Sequence, residues 1–133
     1  MIDSSCLFCR KDEHKILVES DNFYARFDNF PATDGHIEVV SKRHVASFFD
    51  LSSSETAEAV ELLRRAHSII NENFGPDGYT VGINDGEAAG RSIDHLHIHL
   101  IPRYWGDVSD PRGGIRQVVP NCYPDAWLPV VSG

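Results

Sequence analysis

Three cysteines in 133 residues, Cys6, Cys9 and Cys122, are too few to build a disulfide framework. The first residues, Met1-Ile2-Asp3 followed by polar side chains, lack the apolar pattern of a secretory leader. The expectation is therefore a reducing, cytoplasmic compartment, where thiols stay free or bind metal. Basic side chains are also scarce. Twelve Lys and Arg stand against twenty Asp and Glu, a formal charge of -8. That balance excludes broad electrostatic binding to DNA, RNA or an anionic membrane surface. It does not exclude a nucleotide, whose phosphates feel only the local field of a site. No apolar run approaches the roughly 20 residues that a membrane-spanning helix needs. Internal repeats and low-complexity linkers are missing too. The length suits a single domain over residues 1–133, with a core small enough to gain from a dimer interface or a metal staple.

What the chain does have is His95-Leu96-His97-Ile98-His99-Leu100-Ile101-Pro102. Alternation with period two is a strand pattern, so the three imidazoles share one face and Leu96, Ile98 and Leu100 the other. Burying three unpaired polar rings on one face would be costly, so the row reads as a site. Two kinds of site fit. Alternate histidines on a strand can share one zinc ion. Equally, a nucleophilic histidine can stand between two supporting ones.

Cys6-Leu7-Phe8-Cys9 supplies a second cluster. In a reducing compartment a C-x-x-C pair is either half of a zinc site or a redox pair. A thioredoxin-like pair sits between a strand and a helix, whereas this one lies almost at the chain start. Half a zinc site needs two more ligands, and the chain offers His14, His36, His44, His67 and the triad.

The remaining pattern gives the elements that hold these residues. Ile16 to Glu19 and Phe23 to Phe27 read as a hairpin across Ser20-Asp21-Asn22. Pro31 and Gly35 punctuate a loop before a third strand, His36 to Ser41, and a short helix is expected over Val45 to Phe49. Ser52-x-x-Glu55 is a capping box for a long amphipathic helix with the stripe Ala59, Leu62, Leu63, Ala66, Ile69, Ile70 and Phe74. Gly75 and Pro76 end it. Tyr79 to Asn84 and His95 to Pro102 read as the last two strands. Between them, the small-residue loop from Asp85 to Ser92 would let backbone N–H groups approach an anion closely.

Together, Asn84-Asp85-Gly86, Gly90-Arg91-Ser92 and His95 to Arg103 strongly resemble the signature of the histidine-triad (HIT) nucleotide hydrolase and transferase superfamily. Gly35-His36-Ile37-Glu38-Val39-Val40-Ser41-Lys42-Arg43-His44 resembles its second block. The similarity spans about residues 6–105, leaving 106–133 as a C-terminal arm. It implies an α+β fold, with an antiparallel sheet of about five strands beside the long helix, and a homodimer. It implies cleavage at the α-phosphate of a nucleoside or dinucleoside polyphosphate through a nucleotidyl-histidine intermediate, without an organic cofactor. His97 would be the nucleophile, with its Nδ1–H on a backbone carbonyl. His99 and His36 would support it, and Ser92 with the loop N–H groups would steady developing charge.

Less firmly anchored roles follow from the same resemblance. Asp28 would meet the ribose, Phe27 would pack near the base, and Asn84, Gly90 and Arg91 would line the phosphate side. Cys6, Cys9, His44 and His95 would hold a structural zinc ion, as in bacterial-type members with a C-x-x-C. Arg91 departs from the glutamine usual among dinucleoside polyphosphate and phosphoramidate hydrolases. Its guanidinium either reaches a polyphosphate or pairs with Glu87 or Asp94. In the tail after Pro102, Arg103, Arg112 and Arg116 with Trp105, Tyr123 and Trp127 either close over substrate or cover apolar surface. Three functions stay open at this point: nucleotidyl transfer through His97 (on a polyphosphate or a phosphoramidate), nucleotide binding without significant turnover, and a hydrolase whose triad holds a catalytic zinc.

Overall fold

The computed structural model describes residues 3–11 and 15–120. Its strands are β1 (Ile16–Glu19), β2 (Phe23–Phe27), β3 (Ile37–Ser41), β4 (Gly78–Gly82) and β5 (His97–Arg103), and its helix is α1 (Ser53–Phe74). The strands form one antiparallel sheet in the order β1-β2-β3-β5-β4. This is the expected α+β architecture. Among the described residues no helix is long and apolar enough to cross a membrane.

Helix α1 starts where its capping box requires. The Ser52 hydroxyl accepts from the Glu55 N–H, and the Glu55 carboxylate accepts from the Ser52 N–H. It ends at Gly75, whose φ of 58° is left-handed. Ala59, Leu62, Ala66 and Ile70 are its buried stripe, laid on Phe23, Ala25, Ile37, Val39, Ile98 and Leu100 of the sheet. Burying a side chain such as Leu62 or Ile70 contributes roughly 1.5–3 kcal/mol. Gly35 matters to this packing, since its φ is +87° and a Cβ there would meet the Phe74 ring at 3.1 Å.

Several boundaries differ from the sequence expectation. The short helix over Val45 to Phe49 is instead a single 3-10 turn at Phe48–Asp50, capped by the Ser47 hydroxyl. Strand β5 begins at His97 because the Leu96 N–H already donates to the Val45 carbonyl, outside the ladder. Strand β4 is Gly78–Gly82, its pairing with β5 ending at Gly82 opposite His99. His67 lies exposed on α1, its ring against Tyr79. His14, Cys122, Tyr123 and Trp127 lie outside the described residues.

Strand alternation then separates the two faces of the sheet. Leu96, Ile98 and Leu100 join the helix side. The opposite face carries the cross-strand rows Tyr24–Val40–His97 and Arg26–Glu38–His99. The site is built on this second face.

Candidate active site

His97 is buried, and its Nδ1 lies 2.8 Å from the carbonyl oxygen of His95. A carbonyl can only accept, so Nδ1 carries the proton and Nε2 keeps its lone pair. Burial lowers the His97 pKa, which keeps the ring neutral at neutral pH. Beside it a second pair settles its tautomers by the same logic. The Ala32 N–H donates to His36 Nδ1 at 2.9 Å, so His36 carries its proton on Nε2 and donates to His99 Nδ1, also 2.9 Å away. Neutral His99 then holds its proton on Nε2. Burial first, and the neighbouring His97 and His36 next, lower its pKa to about 4. The Asp28 carboxylate closes this group, 3.5 Å from His36 Nε2 and 3.9 Å from His99 Nδ1. Its other oxygen accepts from the Phe30 N–H, so Asp28 also shapes the turn after β2.

His95 belongs to a different cluster. Its Nε2 is 2.6 Å from the Ser41 carbonyl, so Nε2–H donates there and the Nδ1 lone pair faces the cysteines. Cys6 Sγ lies 3.3 Å and Cys9 Sγ 3.5 Å from that Nδ1, and His44 Nδ1 is 3.3 Å from Cys9 Sγ. In tetrahedral zinc, bond lengths of about 2.3 Å to sulfur and 2.05 Å to nitrogen put such ligands about 3.5 Å apart. The donor set and its spacing fit a structural zinc ion, which Cys6, Cys9, His44 and His95 would hold. Burial pushes the Cys9 thiol pKa up, so a cation at this site would be what ionises it. Among the described residues no cluster of metal-type ligands contains all three triad histidines: His95 goes with the cysteines, and His97 and His99 with carboxylates.

A HIT-domain model matches residues 10–106 of this chain. The chain belongs to the HIT-domain family. One relative, described as AP-4-A phosphorylase from Mycobacterium tuberculosis, is 34% identical over 99 residues, which are 74% of this chain and 51% of that one. The chain thus spans about half the length of that relative. Another, described as bis(5'-adenosyl)-triphosphatase from Dictyostelium discoideum, is 34% identical over 68% of this chain and 61% of its own. A third, described as adenosine 5'-monophosphoramidase from Schizosaccharomyces pombe, is 32% identical over 74% of each chain. Among solved structures, a zinc-bound histidine triad family protein from Mycobacterium smegmatis superposes with a TM-score of 0.70 at 31% identity, covering 78% of both chains.

Other expected contact residues of this HIT chain are more dispersed. Phe27 turns to the helix face, its ring 6.4 Å from Phe74, and so does not line the triad face; its parity on β2 follows Phe23 and Ala25. Asn84, Gly90 and Ser92 are exposed on the loop between β4 and β5. Gly90 has φ +93° there and ends the 3-10 turn Glu87–Ala89. Arg91 is half-buried and pairs with Asp94 at 2.8 Å, the second of its two expected uses. Two arginines after Pro102 are engaged by nearby carboxylates, Arg103 at the end of β5 by Asp107 and Arg112 by Asp110. A cavity of about 430 Å³ opens between β4 and this segment, lined by Tyr79, Arg103 and Trp105, and holds none of the histidines.

Phe8 is a site residue that the sequence reading missed. Set between the two cysteines and 1% exposed, it packs edge-on against His97 at 5.0 Å and His95 at 5.9 Å, under the Arg26 guanidinium. Its carbonyl accepts from the buried Tyr24 hydroxyl at 2.6 Å. The available signal was an aromatic residue enclosed by two candidate ligands. Phe8→Ala is expected to cost about 3–5 kcal/mol of stability, measured by urea unfolding, because it empties the space beside His97. A loss below about 1 kcal/mol would contradict that packing role.

Proposed function

We propose that this HIT protein is a nucleotide hydrolase in which His97 attacks the α-phosphate of a nucleoside polyphosphate or dinucleoside polyphosphate. The observation that carries the reading is the His97 hydrogen bond to the His95 carbonyl, which leaves an unprotonated Nε2 on an otherwise neutral ring. The N–P bond forms as the bond to the leaving group breaks, and water later releases the nucleoside monophosphate. His99 would offer Nε2–H to a phosphate oxygen or to the leaving group, held in that tautomer by His36. Asp28 would keep the His36–His99 pair oriented and meet the ribose. Ser92, Gly90 and Asn84 would steady the phosphates from the exposed loop, with Arg91 released from Asp94 when a polyphosphate binds. A zinc ion held by Cys6, Cys9, His44 and His95 would supply rigidity only, since that donor set leaves no open coordination position.

The test is turnover of a panel, namely diadenosine polyphosphates, an adenosine phosphoramidate and an adenylyl sulfate, followed by AMP release. AMP should appear with the dinucleoside polyphosphates at the highest kcat/KM. Faster release from the phosphoramidate would move the protein to that branch of the same chemistry. Nucleotide binding by calorimetry with no AMP from any of them would contradict the hydrolase reading and leave a binding protein.

A further inference from the structure

The sheet face under His97 holds a buried ion pair that a row of histidines does not require. Arg26 and Glu38 are each 5% exposed at the side chain, with Nη1 and Oε1 at 2.6 Å. Burying such a pair seldom adds net stability, because desolvation offsets the attraction and apolar side chains would fill the same space. The contact is also not the two-pronged one that arginine favours. Arg26 sends Nη2 to the Asn29 side chain at 2.9 Å, and its buried Nε has no hydrogen-bond partner. The second carboxylate oxygen, Oε2, lies 3.8 Å from His97 Nε2.

Nucleotidyl transfer creates charge at that nitrogen. The Nε2 lone pair becomes the N–P bond, the leaving group departs with the electron pair of its own bond to phosphorus, and Nδ1 keeps its proton. The ring is then an imidazolium, in surroundings whose burial disfavours a cation. We infer that Glu38 is the counter-charge for this imidazolium, a positioning residue that acts through His97, and the inference rests on the covalent reading above. Arg26 holds the carboxylate in place from the neighbouring strand.

Glu38 is faced by Arg26 from β2, by His97 and His99 from β5, and by Asp28 beyond the end of β2. Burial chiefly, then Asp28, raises its pKa to about 7 against the opposing pull of Arg26. A carboxyl raised in this way is ionised only above about pH 7, so adduct formation should rise as pH increases through that point.

The test is single-turnover formation of the nucleotidyl adduct across pH, with Tm measured in parallel. Glu38→Gln should slow adduct formation on the order of 10- to 100-fold, remove the rise near pH 7 and lower Tm, since Arg26 is left buried and unpaired. The double variant Arg26→Gln, Glu38→Gln leaves no isolated charge. It should regain Tm but not the rate, whereas a merely structural pair would regain both. Wild-type adduct rates in the double variant would overturn the role of Glu38 alone. A wild-type protein that turns over with no adduct would overturn the covalent reading and this role with it.

Discussion

His97→Ala is expected to reduce turnover on the order of 10⁴-fold or more, with KM for a dinucleoside polyphosphate changed far less. The reasoning is local. Only His97 among the triad has its Nδ1 committed to a backbone carbonyl, that of the residue two positions before it, so only its Nε2 is both unprotonated and held in direction. The equivalent nitrogen of His99 carries a proton, because His36 occupies its Nδ1. The equivalent nitrogen of His95 donates to the Ser41 carbonyl on the far side of the strand lead-in. His99→Ala should therefore cost less, on the order of 10²- to 10³-fold, the usual range for losing one proton donor or phosphate contact. Steady-state kinetics on the two variants checks the ranking. Equal losses would mean that the two rings act as one unit; a larger loss at His99 would reverse the assignment of nucleophile.

The second large effect concerns the metal cluster. Chelation is expected to lower Tm on the order of 10–20 °C, and Cys9→Ser should reproduce the shift without chelator. A ligand that binds only the folded chain at about a thousandfold above its Kd stabilises by roughly 4 kcal/mol. Here that ion would join residues about ninety positions apart, Cys6 and His95, whose ligand atoms already lie 3.3 Å from each other. The consequence reaches His97 through two contacts: the His95 carbonyl that fixes its tautomer, and Phe8, which packs on its ring. Activity should fall with metal loss although none of the four ligand side chains is assigned a step in the reaction. Metal analysis and thiol titration check this directly: zinc bound to the purified protein, with Cys6 and Cys9 unreactive until chelator is added. Freely reactive thiols and an unmoved Tm would contradict a structural zinc.

Local rules made much of this molecule readable. The capping box at Ser52, the stop at Gly75 and the period-two run from His95 each depend on neighbours within a few residues, and each appears in the structure. The split of the triad was legible only through resemblance, because period two puts all three histidines on one face without saying which atoms meet a partner. What decides it are contacts from distant segments: Ser41 on His95, His36 on His99, and Cys6 with Cys9 on His95. Phe27 shows the opposite failure. Its parity with Phe23 and Ala25 already assigns it to the helix face, whereas its place near the base came only from the resemblance. Glu38 was visible as a charge within an apolar strand, on the face of His36 and Val40 and alternating with Ile37 and Val39. Its nearness to His97 required the register between β3 and β5, which no local pattern carries.

The most direct test of nucleotidyl transfer is the intact mass of protein quenched within one turnover of a diadenosine polyphosphate. An added adenylyl group is expected on the wild type, on a peptide containing His97, that decays as AMP appears and is missing from His97→Ala. AMP release with no added mass on quenched wild-type protein, under conditions where release of the group is slower than its formation, would rule out nucleotidyl transfer through His97 and point to direct attack by water.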